Sequence, residues 1–117
     1  MNIESYRSYC LSKKGVTEEF PFDESTLVFK VMGKMFALTD LEEFSGISLK
    51  TDPEEGADLR EKYSFVQPAY HMNKKHWITV ILAGQVPDRM LRQLTDRSYE
   101  LVVSGLTKSQ KLRLSSL

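Results

Sequence analysis

The sequence predicts an α+β domain in which helices pack on a largely antiparallel sheet of about five strands. Three observations predict this class: apolar residues switch between helical spacing and two-residue alternation, glycine-centred turns separate the alternating runs, and capping residues mark helix starts. At 117 residues and 41% hydrophobic content, the chain can build one core but not two. We therefore expect a single domain over residues 1–117, with the element order α-β-β-β-α-β-β-α and a further short helix after the last one.

The first predicted element is an N-terminal helix. Lys13, Lys14 and Gly15 supply the basic last turn and the glycine that are typical of a helix end. The apolar residues that recur at helical spacing before them are Ile3, Tyr6, Cys10 and Leu11. Cys10 is the single cysteine of the chain, so an internal disulfide is excluded and we expect a buried, unreactive thiol.

A β-hairpin is predicted next. The apolar runs 27–31 and 35–38 flank Gly33 and Lys34, and a glycine at the first turn position is typical of a type II′ hairpin. In that register, five apolar side chains share one face of the sheet. They are Leu27, Phe29, Val31, Phe36 and Leu38.

A third strand and a second helix follow the hairpin. Ile47 and Leu49 alternate with polar residues, which predicts a short strand whose Lys50 points away from the core. Asp52, then Pro53, then two glutamates form a typical helix start. We expect this helix to end near residue 62.

Two helices are predicted at the C-terminal end of the chain. Pro87 and Asp88 begin the longer one, and Gly105 marks its end. Thr107 and Gln110 have the spacing of a capping box and predict a last short helix. Helices and strands are expected to share one core, formed by Phe29, Phe36, Ile47, Leu49, Ile78, Val80, Leu94 and Leu101.

Residues 71–77, His-Met-Asn-Lys-Lys-His-Trp, lie between two short apolar runs and predict the tip of a second hairpin. If Asn73 and Lys74 form a two-residue turn, the positions opposite each other are fixed. The opposed pairs are Met72 with Lys75, His71 with His76, and Tyr70 with Trp77. Alternation then divides the side chains between an outward face and a core face. The outward set is Tyr70, Lys75 and Trp77, and the core set is Ala69, Ile78, Val80 and Leu82.

The net charge is zero, which is not typical of a strong nucleic-acid binder. The charge is nevertheless unevenly distributed along the chain. Residues 1–60 carry 7 basic and 12 acidic side chains, whereas residues 61–117 carry 9 basic and 4 acidic ones. An anionic partner is therefore expected to approach the C-terminal half. The alternative is that the two halves attract each other within the folded domain.

Six short motifs occur in order along the chain. They are Pro21-Phe22-Asp23, Lys34-Met35-Phe36-Ala37, Ser48-Leu49-Lys50, Pro68-Ala69-Tyr70-His71, Lys75-His76-Trp77 and Asp96-Arg97-Ser98-Tyr99-Glu100-Leu101-Val102. Together they resemble the MmcQ/YjbR family of small bacterial proteins over nearly the whole chain. The resemblance implies an α+β fold similar to frataxin-like and secretion-chaperone domains, called a double-wing fold. It also implies the family's usual label, DNA-binding protein, without an established substrate or cognate sequence.

We expect a binding domain rather than an enzyme, with a nucleic acid such as DNA as the first candidate ligand. Aromatic rings beside lysines can stack on bases while the ammonium groups counter the phosphate charge. The candidate contact residues are Lys50, Tyr70, Lys74, Lys75, His76, Trp77, Arg89 and Arg92. The alternative for Tyr70 and Trp77 is a structural cross-strand pair that the last helix covers.

The second candidate function is protein interaction, in which an exposed sheet face receives a peptide strand or a partner helix. No cofactor is expected. His71 and His76 have no cysteine or carboxylate close by in the sequence, so we expect no metal site. Neither histidine has a local serine or cysteine partner of the kind that forms a nucleophile motif, and Ser98 and Tyr99 fall in mid-helix, where a buried hydroxyl bond is expected instead of chemistry.

The N-terminal sequence has no basic region followed by an apolar run, and no stretch approaches the roughly 18 apolar residues that span a membrane. We therefore expect a cytoplasmic protein without a membrane partner. Nothing in the sequence predicts an oligomeric state.

Overall fold

The computed structural model describes residues 1–69 and 72–117. Over these residues the chain forms four α-helices, a short 3₁₀ helix and six strands. In chain order they are α1 (Ile3–Leu11), β1 (Val16–Glu19), β2 (Thr26–Val31), β3 (Lys34–Asp40), β4 (Gly46–Lys50), α2 (Pro53–Lys62), β5 (Val66–Pro68), β6 (Trp77–Ile81), the 3₁₀ helix (Leu82–Gly84), α3 (Asp88–Ser104) and α4 (Lys108–Ser115). The predicted α+β class is confirmed.

The six strands form one antiparallel sheet in the order β1-β2-β3-β4-β6-β5. The sequence predicted five of them and missed β1. Val16–Glu19 has a single apolar residue, so its alternation carried no signal. It becomes a strand because it pairs with β2, with Val16 opposite Val31.

One face of the sheet carries the helices and the core. α3 packs across β2, β3 and β4, while α1 lies beside β1 and α2 beside β5 and β6. Of the predicted core residues, six are fully buried: Phe29, Phe36, Ile47, Leu49, Ile78 and Val80. The prediction of full burial is wrong for Leu94 and Leu101, which are only half-buried. The residues that α3 buries in the core are Leu91 and Val102.

A row of five aromatic rings crosses this core. The successive ring centroids of Phe44, Tyr6, Phe29, Phe36 and Tyr99 are 5.8, 6.0, 6.5 and 5.4 Å apart. Two of these contacts, Tyr6 with Phe29 and Phe36 with Tyr99, are edge-to-face, an arrangement that the ring quadrupoles favour. The row therefore joins α1 and α3 through the middle of the sheet.

The β2–β3 hairpin differs from the prediction in both its turn and its register. The turn residues are Met32 and Gly33, which both have positive φ values of 50° and 80°, as a type I′ turn requires. A β-bulge follows, because Phe29 pairs with Ala37 and Lys30 with Met35, leaving Phe36 as the extra residue of β3. Leu38 consequently lies on the opposite face from Leu27 and Phe29, contrary to the prediction.

The helix starts agree with their capping signals. α2 begins at Pro53 and ends at Lys62, although Asp52 makes no capping bond with its side chain. α3 begins at Asp88 and ends before Gly105. Thr107 and Gln110 form the predicted capping box of α4, in which the Thr107 side chain accepts a hydrogen bond from the Gln110 backbone N–H.

Buried and part-buried polar contacts fix α1 and the residues just after it against α3. The hydroxyl groups of Tyr6 and Thr95 lie 3.0 Å apart. Asp96 accepts a hydrogen bond from the Tyr9 hydroxyl, and it forms an ion pair with Lys13 at 2.5 Å. The predicted burial of Cys10 is confirmed, and that burial raises the pKa of its thiol to about 12, which leaves the unreactive protonated form.

Within the described part of the chain, no helix combines the length and the apolar character needed to cross a membrane.

Candidate binding groove on the open face of the sheet

The face of the sheet opposite the helices is lined by the outward side chains of β3, β4 and β6. Cross-strand pairs fix their positions: Lys50 lies opposite Trp77, and Gly46 lies opposite Ile81. Between these pairs, the hydroxyl groups of Ser48 and Thr79 are 3.0 Å apart. This face is therefore held in a defined arrangement by the strand register itself.

An open groove of about 780 Å³ runs over this face. Its apolar lining comes from the strands and from the β1–β2 and β5–β6 loops, and none of its lining residues belongs to a helix. The apolar residues are Phe22, Met35, Leu38, Ala69, Met72, Trp77 and Ile81. Phe22 is 62% exposed and Ile81 36% exposed, so large apolar side chains face solvent together here.

The two ends of the groove carry opposite charge. At the end where β4 finishes and β6 begins, Lys50 lies beside Trp77, and the exposed Lys75 follows in the adjoining turn. At the other end Asp40 lines the groove, and Glu42 and Glu43 are exposed in the loop between β3 and β4. Within residues 1–69 and 72–117, neither Lys50, Lys75, Glu42 nor Glu43 forms an ion pair.

Hydrogen bonds to two aspartate side chains stabilise the β1–β2 and β3–β4 loops at the acidic end of the groove. Asp40 accepts hydrogen bonds from both the backbone N–H and the hydroxyl of Ser45, each at 3.1 Å. Asp23 accepts from the backbone N–H groups of Thr26 at 2.6 Å and Ser25 at 2.9 Å. The Thr26 bonds and then the Ser25 bond stabilise the charged form, so the pKa of Asp23 lies below its usual range. These bonds hold the loop that presents Phe22.

The second hairpin has a different turn from the predicted one. Pro68 pairs with Ile78, one residue out of the register that a two-residue turn at Asn73 and Lys74 requires. Asn73 instead starts a four-residue turn, because its carbonyl accepts from the His76 N–H at 3.1 Å. Its side chain also accepts from the Lys75 N–H at 2.9 Å.

The predicted opposed pairs involving Tyr70 and His71 lie outside the described residues. The predicted core side is confirmed for Ile78 and Val80, which are buried, while Leu82 is half-buried in the 3₁₀ helix. The prediction is wrong for Ala69, which is buried but lines the groove on the open face, because Pro68 pairs with Ile78 in its place. Trp77 lies half-buried on the open face. The alternative in which the last helix covers Trp77 is therefore wrong for this residue.

The structure brings together only part of the predicted nucleic-acid contact set. Lys50 and Trp77 are neighbours, and the exposed Lys74, Lys75 and His76 form the turn beside them. The carbonyl of His76 accepts from the Thr51 N–H at 2.8 Å, which ties this turn to the end of β4.

Arg89 and Arg92 do not join this cluster. They lie on α3, which packs on the opposite face of the sheet. Asp88, next to Arg89, forms an ion pair at 3.0 Å with the N-terminal ammonium group. The predicted contact residues therefore do not form one continuous surface.

The two oppositely charged halves of the sequence meet only in part. Of the ion pairs within the described residues, three join the halves: Met1 with Asp88, Lys13 with Asp96, and Arg97 with Glu55. Only Arg97 with Glu55, at 2.9 Å, links a basic C-terminal side chain to an acidic N-terminal one. The predicted attraction between an acidic N-terminal half and a basic C-terminal half is thus represented by one ion pair. The charged side chains at the groove ends take no part in it.

Among the described residues, no group of three or more histidine, cysteine or carboxylate side chains is arranged to hold a metal ion. His71 lies outside those residues, and so does the predicted pairing of His71 with His76.

Sequence reasoning missed most of the apolar lining of the groove. The predictions left Phe22 and Ile81 unplaced and put Leu38 on the core face, since the predicted binding surface consisted of basic and aromatic residues. The signal was present in the alternation of β4 and β6, where inward Ile47, Leu49, Ile78 and Val80 leave the intervening residues on the other face.

The chain is similar to several known proteins over most of its length. The family model described as YjbR matches residues 11–101. YjbR of Escherichia coli strain K12 is 36% identical over 118 residues, which cover 100% of both chains. YbdF of Escherichia coli O157:H7 is 40% identical over 96 residues, covering 81% of this chain and 79% of YbdF.

Solved structures agree with the fold. The crystal structure of a Deinococcus radiodurans protein with a DUF419 domain has a TM-score of 0.88 at 44% identity, covering 97% of this chain and 88% of that one. A Pseudomonas syringae protein has a TM-score of 0.72 at 31% identity, covering 86% of this chain and 98% of the other. With a family model over most of the sequence and a relative aligned along all of it, the chain belongs to the YjbR family.

Proposed function

We propose that this domain binds a partner protein through the open face of its sheet. The observation that carries the proposal is the groove in which Phe22, Leu38, Trp77 and Ile81 meet without a covering helix. Burying such side chains releases about 25 cal/mol for each Å² of apolar surface removed from water. The groove is open to solvent along the sheet, so a segment of a partner chain can lie along it.

The charge distribution supports a protein partner over a polyanion. A nucleic acid is favoured by a continuous basic surface, whereas this groove has Asp40 in its lining and Glu42 and Glu43 at the same end. Arg89 and Arg92 belong to the helical side. We propose further that the partner is met in the cytoplasm.

Selection from a displayed library of random peptides tests the proposal. We expect the wild-type protein to enrich peptides rich in apolar residues and to bind them saturably. Trp77 is the only tryptophan of the chain and it lines the groove, so its fluorescence reports occupancy directly. Ile81→Asp places a charge in the groove and is expected to weaken binding at least about tenfold, or 1.4 kcal/mol.

Leu112→Asp is the matched control for that variant. Leu112 is a 67% exposed aliphatic residue on α4, away from the groove, so its replacement is expected to change binding by less than about twofold. Failure to enrich any peptide, or equal weakening by both aspartates, would count against the open face as a protein-binding surface.

Nucleic acid is the second candidate function, and one observation favours it. Lys50 lies directly opposite Trp77, and the exposed Lys75 is in the next turn. An aromatic ring between ammonium groups suits base stacking with phosphate neutralisation. The acidic end of the groove is what makes this candidate second.

Titration with labelled single-stranded and duplex DNA at about 50 and 200 mM salt tests the second candidate. If DNA binds, Lys75→Ala is expected to reduce the salt slope by about one unit. Trp77→Ala is expected to cost about 1 to 3 kcal/mol per stacked base with the slope almost unchanged. Arg89→Ala, on the helical face, is the control and should leave both quantities as they are. Absence of saturable binding at the lower salt removes this candidate.

A further inference from the structure

The strands under the groove have no free backbone edge. β3 is paired with β2 and β4, β4 with β3 and β6, and β6 with β4 and β5. An occupant of this face therefore cannot join the sheet as an added strand. Its own backbone N–H and C=O groups must be satisfied internally when it leaves water, and an α-helix does this.

The dimensions of the floor fit one helix. Along β4, the four residue steps from Gly46 to Lys50 span about 14 Å, which corresponds to about nine residues of α-helix at 1.5 Å each. Across the sheet, β3, β4 and β6 together are about 10 Å wide, close to the diameter of a helix with its side chains.

The charges at the two ends then specify the ends of that helix. Lys50 and Lys75 have no ion-pair partner in the described part of the chain, and the same holds for Glu42 and Glu43. Each pair would lose hydration when the groove is filled, so an occupant with the opposite charge at each end offsets that loss. An occupant with one sign of charge at both ends meets repulsion at one of them.

We infer that the groove receives an amphipathic helix of about three turns from a partner protein, with acidic residues at its Lys50 and Lys75 end and basic residues at its Glu42 and Glu43 end. The apolar side of this helix packs on Leu38, Trp77 and Ile81. The inference rests on the proposed function and adds the conformation and the charge pattern of the bound segment.

Four synthetic peptides test the charge pattern. They share one amphipathic core with leucines at helical spacing, and they differ only in their end residues: lysines then glutamates, glutamates then lysines, lysines at both ends, or glutamates at both ends. A helix can lie in the groove in either direction, so both peptides with opposite end charges are expected to bind. The peptide with glutamates first should bind somewhat more tightly, because its end charges also match the helix dipole. We expect both to bind at least about fivefold more tightly than either peptide with like ends.

A charge-reversed protein makes the test specific. The double variant Lys50→Glu with Lys75→Glu has acidic residues at both ends of the groove, so its preference is expected to move to the peptide with lysines at both ends. Lys108→Glu with Lys111→Glu, on the exposed side of α4, is the matched control and should keep the wild-type preference. A fold defect alone would weaken all four peptides without changing their order.

The helical conformation has a separate readout. Circular dichroism is expected to show added helix when a peptide with opposite end charges binds, and a proline in mid-core is expected to weaken it at least about tenfold. Sedimentation of the wild-type protein and of Ile81→Asp shows whether a second copy fills the groove. A wild-type dimer that Ile81→Asp dissociates would overturn the inference. Equal binding of all four peptides that is still lost in Ile81→Asp, or binding without helix gain, overturns the inference and leaves the proposed function standing. No binding of these or of library peptides defeats the proposed function itself.

Discussion

Replacing Phe29 with alanine is expected to lower the free energy of unfolding by about 3 to 5 kcal/mol, the range for removing a fully buried aromatic ring. Phe29 has no exposed surface and is the middle member of the aromatic row, with its centroid 6.0 Å from Tyr6 and 6.5 Å from Phe36. Its removal leaves a cavity where α1 meets the sheet. Urea denaturation followed by circular dichroism measures the loss.

Phe22→Ala is the matched control, since it removes the same ring from a side chain that is 62% exposed. Its effect on the free energy of unfolding is expected to stay within about 0.5 kcal/mol, as for most surface substitutions. Because Phe22 lines the groove, the same variant should weaken peptide binding. If both alanine variants destabilise the protein equally, the assignment of the two rings to core and groove is wrong.

The elements that the sequence predicted well are those whose local signals agree with their tertiary environment. Pro53 at a helix start, the capping box of Thr107 and Gln110, and Gly105 at a helix end all act within a few residues of chain. The strand around Ile47 and Leu49 was predicted for the same reason, because its alternation is strict and one side is fully buried.

The features that the sequence could not predict depend on partners far along the chain. β1 has little strand character of its own, and the register that places Val16 opposite Val31 makes it a strand. The bulge at Phe36 inserts one residue into β3, and a single inserted residue moves the following side chains to the other face. Leu38 was therefore assigned to the core when it lines the groove.

The same reasoning explains why the candidate site was only partly predicted. Lys50 and Trp77 were correctly assigned outward positions by alternation, and the strand register makes them neighbours. The predicted association of these residues with Arg89 and Arg92 is wrong, because α3 covers the other face of the sheet. The packing of Leu91 and Val102 in the core decides which face α3 covers. The apolar groove depends on the absence of a helix from one face, which no local pattern encodes.

Ser98→Ala is expected to reduce the free energy of unfolding by about 2 to 4 kcal/mol, because it removes the partner of a buried carbonyl, at about 1 to 3 kcal/mol, and of a part-buried N–H, at about 1 kcal/mol. The fully buried Ser98 hydroxyl donates to the Phe36 carbonyl at 2.5 Å and accepts from the Lys50 N–H at 2.8 Å. Ser98 thus joins the bulge of β3 to the end of β4. Its hydroxyl makes the buried hydrogen bond that the sequence predicted for this mid-helix position.

Ser104→Ala is the control, since its exposed hydroxyl bonds only the Leu101 carbonyl within the same helix, at 2.7 Å. Its effect is expected to stay within about 0.5 kcal/mol. Urea denaturation of both variants measures the difference, and a loss for Ser98→Ala no larger than that of the control would contradict the bridging role. Because Ser98 also positions the Lys50 backbone, we expect Ser98→Ala to reduce the preference for peptides with opposite end charges, while Ser104→Ala leaves it unchanged.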